Sequence, residues 1–151
     1  MPDICAAIGI AQLREYSQQL LPERKRIAQR YADTLKQFHW AELPPLKSAV
    51  MESAYHIFPL CIKGITESMR DDMIDIITGM GVSVNVHFIP LPMLSLFKEK
   101  GYSIDAYPMS HTKFSREISL PIYPQLTNDQ ADYVLSAVIL AYNNVISNRG
   151  L

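Results

Sequence analysis

The sequence predicts an α+β domain: a small sheet packed with helices. Three observations carry this expectation. Apolar residues recur at helical spacing around residues 27–38, 69–80 and 134–145. Short runs rich in β-branched and aromatic residues fall at 55–62, 82–88 and 117–120. The two kinds of segment interleave along the chain, which suits one layer of helices on one small sheet.

The elements follow in order. Ile4, Ile8 and Ala11 form one stripe of a first helix, with the small residues Ala6, Ala7 and Gly9 beside it. Gly9 costs such a helix ~1 kcal/mol relative to alanine, so the helix is expected to pack against something. Pro22 suits the first turn of a second helix. Ile27, Tyr31, Leu35 and Phe38 make its apolar face. Pro44-Pro45 ends the unit, and residues 41–53 read as a connector. Tyr55 to Ile62 reads as a strand closed by Gly64. Ser68 is the expected N-cap of a helix carrying Met69, Met73, Ile76, Ile77 and Met80, ended by Gly79 and Gly81. Val82 to Phe88 reads as a second strand, stopped by Pro90 and Pro92. Residues 93–116 read as short helices and turns, with Met93, Leu94, Leu96 and Phe97 expected in the core and a break at Gly101. Glu117 to Leu120 is a short strand ended by Pro121. Thr127-Asn128-Asp129-Gln130 is a capping box before a last helix carrying Val134, Ala137, Val138, Ala141 and Val145. The strand-helix-strand unit leaves parallel pairing and an inserted or swapped neighbour equally open.

Composition narrows the function classes. At 151 residues the chain is long enough for one real core. It is 48% hydrophobic and 19% charged, which argues against disorder. A net charge of -1 offers no basic field to nucleic acid. Arg24-Lys25-Arg26 lies on an amphipathic helix and reads as a solvated face rather than a phosphate patch. Cys5 and Cys61 lie in apolar runs without metal-ligand spacing, and are expected as buried, reduced thiols of a cytoplasmic protein. No basic leader precedes an apolar core, and no apolar run approaches the roughly 20 residues that span a bilayer. No membrane partner is expected.

The candidate ligand-binding residues sit beside prolines. His56 and His87 each lie in an apolar run next to an aromatic residue, and two such histidines from one small sheet can face one cleft. Imidazole hydrogen-bonds to sugar hydroxyls and phosphate oxygens and titrates near neutrality. Asn85 brings an amide to a strand, where it either enters a site or caps an edge. Tyr55, Tyr107 and Tyr123 offer hydroxyls, although pocket lining and core filling leave the same signal. His39 and His111 read as solvent-facing. No third ligand has the spacing a metal would need. No G-x-S-x-G, H-E-x-x-H, Walker loop or G-x-G-x-x-G is present. None of the seven lysines lies in a run that suggests a desolvated Schiff-base amine.

Five strings in order resemble the C-terminal part of the DegT/DnrJ/EryC1/StrS family of pyridoxal-phosphate (PLP) aminotransferases. Ala6 to Leu13 resembles the helix after the cofactor domain, and Arg24 to Tyr31 the family's long helix. Tyr55-His56 resembles the strand that opens the small domain. Val86-His87-Phe88-Ile89-Pro90 resembles a V-H-Y-x-P segment, with Phe88 lacking the usual hydroxyl. Leu120-Pro121-Ile122-Tyr123-Pro124 resembles the closing strand and turn.

The resemblance implies the C-terminal small domain of a fold-type I enzyme acting on nucleotide-linked keto-sugars. Residues 1–40 would link to a missing cofactor domain and residues 41–151 would form the small domain. PLP, its lysine and its acid would belong to the missing part, so this chain is expected to hold no PLP stably and to contain no catalytic residue. His56, His87, Tyr55 and Asn85 would bind the substrate. The family's habit implies a homo-oligomer. Met1 would correspond to an internal methionine, as in a truncated frame or cloned fragment. The alternative is a stand-alone, non-catalytic α+β module for ligand binding or interaction.

Overall fold

The computed structural model describes residues 1–148. The chain opens as one long helical rod: α1 (Asp3–Glu15), a π-helical turn (Tyr16–Leu20) and α2 (Leu21–Leu35). Pro22 supplies no N–H for the carbonyl four residues before it, and the wider turn sits where that loss falls. The halves of the rod differ sharply. α2 buries Ile27, Ala28, Tyr31 and Leu35, as its spacing predicts. α1 buries nothing, and Ile4, Ile8, Ile10 and Leu13 are exposed.

The remaining elements are β1 (Ala41–Glu42), β2 (Phe58–Ile62), α3 (Glu67–Gly79), α4 (Ser95–Glu99), α5 (Pro108–Phe114), β3 (Glu117–Leu120) and α6 (Asn128–Asn148). The sheet order is β1-β2-β3, antiparallel throughout, with Phe58 opposite Leu120 and Leu60 opposite Ile118. This register divides the sheet into two faces. Phe58, Leu60, Ile62, Ile118 and Leu120 point into the core formed with α2, α3 and α6. Pro59, Cys61, Glu117 and Ser119 occupy the opposite face. Tyr31 anchors α2 to the core side: its ring meets Phe58 edge-on at 5.3 Å and its hydroxyl donates to the Pro121 carbonyl at 2.9 Å. Trp40 stacks on Tyr142 at 4.3 Å, which ties the segment after α2 to the last helix.

Several expectations hold at the residue level. β3 has the bounds read from the sequence. The capping box forms in both directions: Gln130 N–H donates to Thr127 Oγ1 and Thr127 N–H to Gln130 Oε1, at 3.2 and 3.0 Å. The expected face of α6 is buried. His39 and His111 are exposed.

Others need correction. The N-cap of α3 is Thr66, whose hydroxyl accepts from Met69 N–H, rather than Ser68. The connector contains β1, a two-residue pairing too short to leave a period. Tyr55 and His56 precede the strand instead of opening it. Tyr55 has φ 51°, a left-handed backbone that a strand cannot accommodate. Residues 82–88 form a single bridge, Asn85 to Ser119, rather than a strand. Side chains take the donors a ladder would use: Asn85 Oδ1 accepts from Val86 N–H at 2.8 Å and Glu117 Oε2 from His87 N–H at 2.9 Å. β3 therefore stands between β2 and this segment, the inserted-neighbour arrangement. Leu94 and Leu96 are exposed and Met93 and Phe97 only half-buried, so residues 93–97 lie off the core. Cys5 is exposed because α1 has no covering element among the described residues; Cys61 is buried as expected.

Candidate functional site

The outer end of β3 and the segment bridging it form a cleft of about 410 Å³. His56, Asn85, His87, Ser119 and Tyr123 line it. Three of the four residues that the sequence assigns to substrate binding, His56, Asn85 and His87, therefore meet here, joined by Tyr123. His56 arrives from the loop before β2, Asn85 and His87 from the bridging segment, and Ser119 from β3 itself. His87 also lines a second cleft of about 440 Å³, with Cys61, Lys113 and Glu117. His87 is thus common to both clefts.

Tyr55 is not brought to this cleft. Its ring is buried, and its hydroxyl donates to Glu52 Oε1 at 3.1 Å. Lys25 lies 5.9 Å from the ring centroid and donates to the same Glu52 oxygen at 2.6 Å. Glu52 also pairs with Lys47 at 3.2 Å. These donors hold the Glu52 carboxyl down at about 2. The basic cluster on α2 is therefore a clamp rather than a free solvated face. Arg24 reaches His56, Lys25 holds the loop through Glu52, and Arg26 donates to the Leu126 carbonyl at 2.8 Å and to Asn128. Tyr107 lies off this cleft, beside a small hollow lined by Leu91, Phe97 and Tyr102.

Each histidine has a defined partner on Nδ1. Arg24 Nη1 lies 3.0 Å from His56 Nδ1. Ser119 Oγ lies 2.8 Å from His87 Nδ1. Ser119 in turn donates to Glu117 Oε1. Glu117 is buried, and burial pushes its carboxyl above the ordinary value, while the Ser119 hydroxyl and the His87 backbone N–H pull it back. Arg70 closes the arrangement from α3. It is buried, stacks 5.1 Å from the Phe114 ring, and donates to the carbonyls of Phe114 and Glu117 at 2.7 and 3.3 Å. Sequence reasoning missed Glu117, Ser119 and Arg24. The first two were findable, because a glutamate and a serine two residues apart on an apolar strand must share its outward face.

The cleft can recognise a polar ligand, but it does not fit PLP as a covalent cofactor. All seven lysines are exposed, and none lines the cleft of His56, Asn85 and His87. A Schiff-base amine needs desolvation. Among the described residues no group of three or more His, Cys, Asp or Glu is placed to hold a metal ion. No helix among them is long and apolar enough to cross a membrane.

Comparison with known proteins agrees with this architecture. The chain is 33% identical over 140 residues to the protein MJ1066 of Methanocaldococcus jannaschii, covering 91% of this chain and 36% of that protein. It is 27% identical over 149 residues to GDP-perosamine synthase of Vibrio cholerae, covering 95% and 38%. The apo form of the sugar aminotransferase Spr1654 of Streptococcus pneumoniae superposes with a TM-score of 0.94 at 29% identity, covering all of this chain and 37% of that one. Spr1654 is also known in PLP and PMP forms. The chain therefore spans little more than a third of the length of the relatives it matches. The α+β fold corresponds to that portion of an aminotransferase. The family model of the DegT/DnrJ/EryC1/StrS aminotransferases matches residues 1–139, and the chain belongs to this family.

Proposed function

We propose that this chain is the C-terminal part of a PLP-dependent aminotransferase acting on nucleotide-linked keto-sugars, and that alone it is inactive. The observation that carries the reading is the pairing of a cleft lined by His56, Asn85 and His87 with a lysine set that is wholly exposed. His56, Asn85 and His87 bind the sugar, and Tyr55 serves them indirectly by fixing the loop that holds His56. PLP, when bound in the intact enzyme, supplies the electron sink for amino transfer. The lysine and acid it needs come from a cofactor domain on the N-terminal side, to which residues 1–40 lead; residues 41–151 are the small domain. Relatives support the substrate class: GDP-perosamine synthase is named for a nucleotide-linked amino sugar, and Spr1654 for sugar amination.

The exposed apolar residues around α1 weigh against a stand-alone module. Ile4, Ile8 and Leu13 are 76%, 56% and 74% exposed, a surface a self-sufficient domain would bury. In the intact enzyme the cofactor domain covers it, and the enzyme assembles as a homo-oligomer in the cytoplasm.

The test is complementation. The purified chain is assayed with glutamate and dTDP-4-keto-6-deoxyglucose, alone and after co-expression with the N-terminal part of Spr1654. Amino transfer is expected only from the co-expressed pair. Amination by the chain alone would overturn the proposal, as would a borohydride-fixed PLP adduct on one specific lysine of the isolated chain.

A further inference from the structure

We infer that the two cleft histidines are held in opposite neutral tautomers, which makes the cleft a donor–acceptor pair fitted to a ligand hydroxyl. The inference rests on the reading of the cleft as a sugar site, but its evidence is geometric.

His56 comes first. A guanidinium has only N–H donors and stays charged. With Arg24 Nη1 at 3.0 Å, His56 Nδ1 must be the acceptor, and the ring proton then resides on Nε2. His87 is set the other way. Glu117 accepts at both carboxylate oxygens, from His87 N–H at Oε2 and from the Ser119 hydroxyl at Oε1. The one proton on Ser119 Oγ is thereby committed. Toward His87 Nδ1, at 2.8 Å, the hydroxyl has only lone pairs to offer. Nδ1 must carry the hydrogen, and Nε2 is left as an acceptor. Neither Nε2 hydrogen-bonds to anything among the described residues.

The consequence is chemical selectivity. A sugar hydroxyl both donates and accepts, so it satisfies both rings: it accepts from His56 Nε2–H or donates to His87 Nε2. A phosphate oxygen only accepts and is served by neutral His56 alone. The Nε2 lone pair of His87 faces an anion's lone pairs without a hydrogen between them, so an anion at His87 is disfavoured. Arg24, Ser119 and Glu117 are thus positioning residues, each acting through a ring that meets the ligand.

The tautomers are directly readable without a ligand, so this test can fail independently of the sugar reading. Long-range proton–nitrogen NMR on the 151-residue chain with labelled histidine, at roughly pH 8.5 where free imidazole is neutral, assigns both rings. The expected result is Nε2–H on His56 and Nδ1–H on His87, the latter favoured about tenfold or more by its charge-assisted relay. Ser119→Ala should return His87 to Nε2–H, while Ser119→Thr, which keeps the hydroxyl, should leave it on Nδ1. Wild-type rings in the same tautomer would overturn the inference whatever the variants do. So would Nδ1–H persisting in a folded Ser119→Ala chain.

Discussion

Arg70 shows how a single residue connects stability to the site. Its guanidinium is 3% exposed and holds the carbonyls at both ends of the turn that launches β3. Removing it strands two carbonyls and leaves the carboxylates of Glu67 and Asp71 without their partner. Arg70→Met is expected to cost about 3 kcal/mol, read as a lower urea midpoint at unchanged slope. Glu52 gives a pH-dependent counterpart. Its folded carboxyl lies at about 2 against an ordinary 4.5, so its contribution is present above pH 4.5 and lost as pH falls toward 2. Acid should therefore loosen the loop carrying Tyr55 and His56 before it unfolds the core. Near-UV circular dichroism should show a Tyr55 signal lost over that interval in wild type and already absent at neutral pH in Glu52→Ala. At this scale the sequence was partly legible. His56, Asn85 and His87 stood out as polar groups in apolar runs and do meet. Tyr55 stood out equally and points elsewhere, because a hydroxyl beside a proline carries no direction. Arg24 was invisible as a site residue, since its partner lies 32 positions away.

Elements were legible wherever their determinants are local. The α6 cap, the buried face of α6 and the bounds of β3 follow from residues within one turn or strand of each other. Thr127→Ala should cost about 1 kcal/mol, because the hydroxyl that accepts from Gln130 N–H is lost while the backbone half of the cap, Thr127 N–H to Gln130 Oε1, remains. Thermal denaturation should show the loss, with Thr127→Ser recovering most of it. Elements defined by distant pairing were not legible. β1 exists only because Ala41 and Glu42 lie opposite Ile62 and Cys61. Residues 82–88 have the β-branched composition of a strand, yet only Asn85 pairs, because Glu117 and Asn85 side chains claim the neighbouring N–H groups. That departure has a use: a regular ladder there would tie the His87 backbone to β3 carbonyls, instead of to the carboxylate that also orders Ser119.

For the whole molecule, the decisive contrast is between the two ends of the opening rod. α2 is welded into the core, while α1 carries Ile4, Ile8, Ile10 and Leu13 into solvent. The sequence marked α2 by a regular apolar face and α1 by small residues that expect a cover, but spacing does not say which chain supplies that cover. Exposed apolar surface without its cover drives association. The isolated chain is therefore expected to self-associate at micromolar concentration, and Ile8→Glu with Leu13→Glu should shift it toward monomer in light scattering. Because neither side chain contributes to the core, the thermal midpoint of the double variant should remain near that of the wild type at low concentration. A monomeric wild type would show that α1 tolerates water as it stands, and a large fall in midpoint would show that α1 helps hold the core. Supplying the N-terminal part of a relative should suppress the same association, since one surface cannot be covered twice.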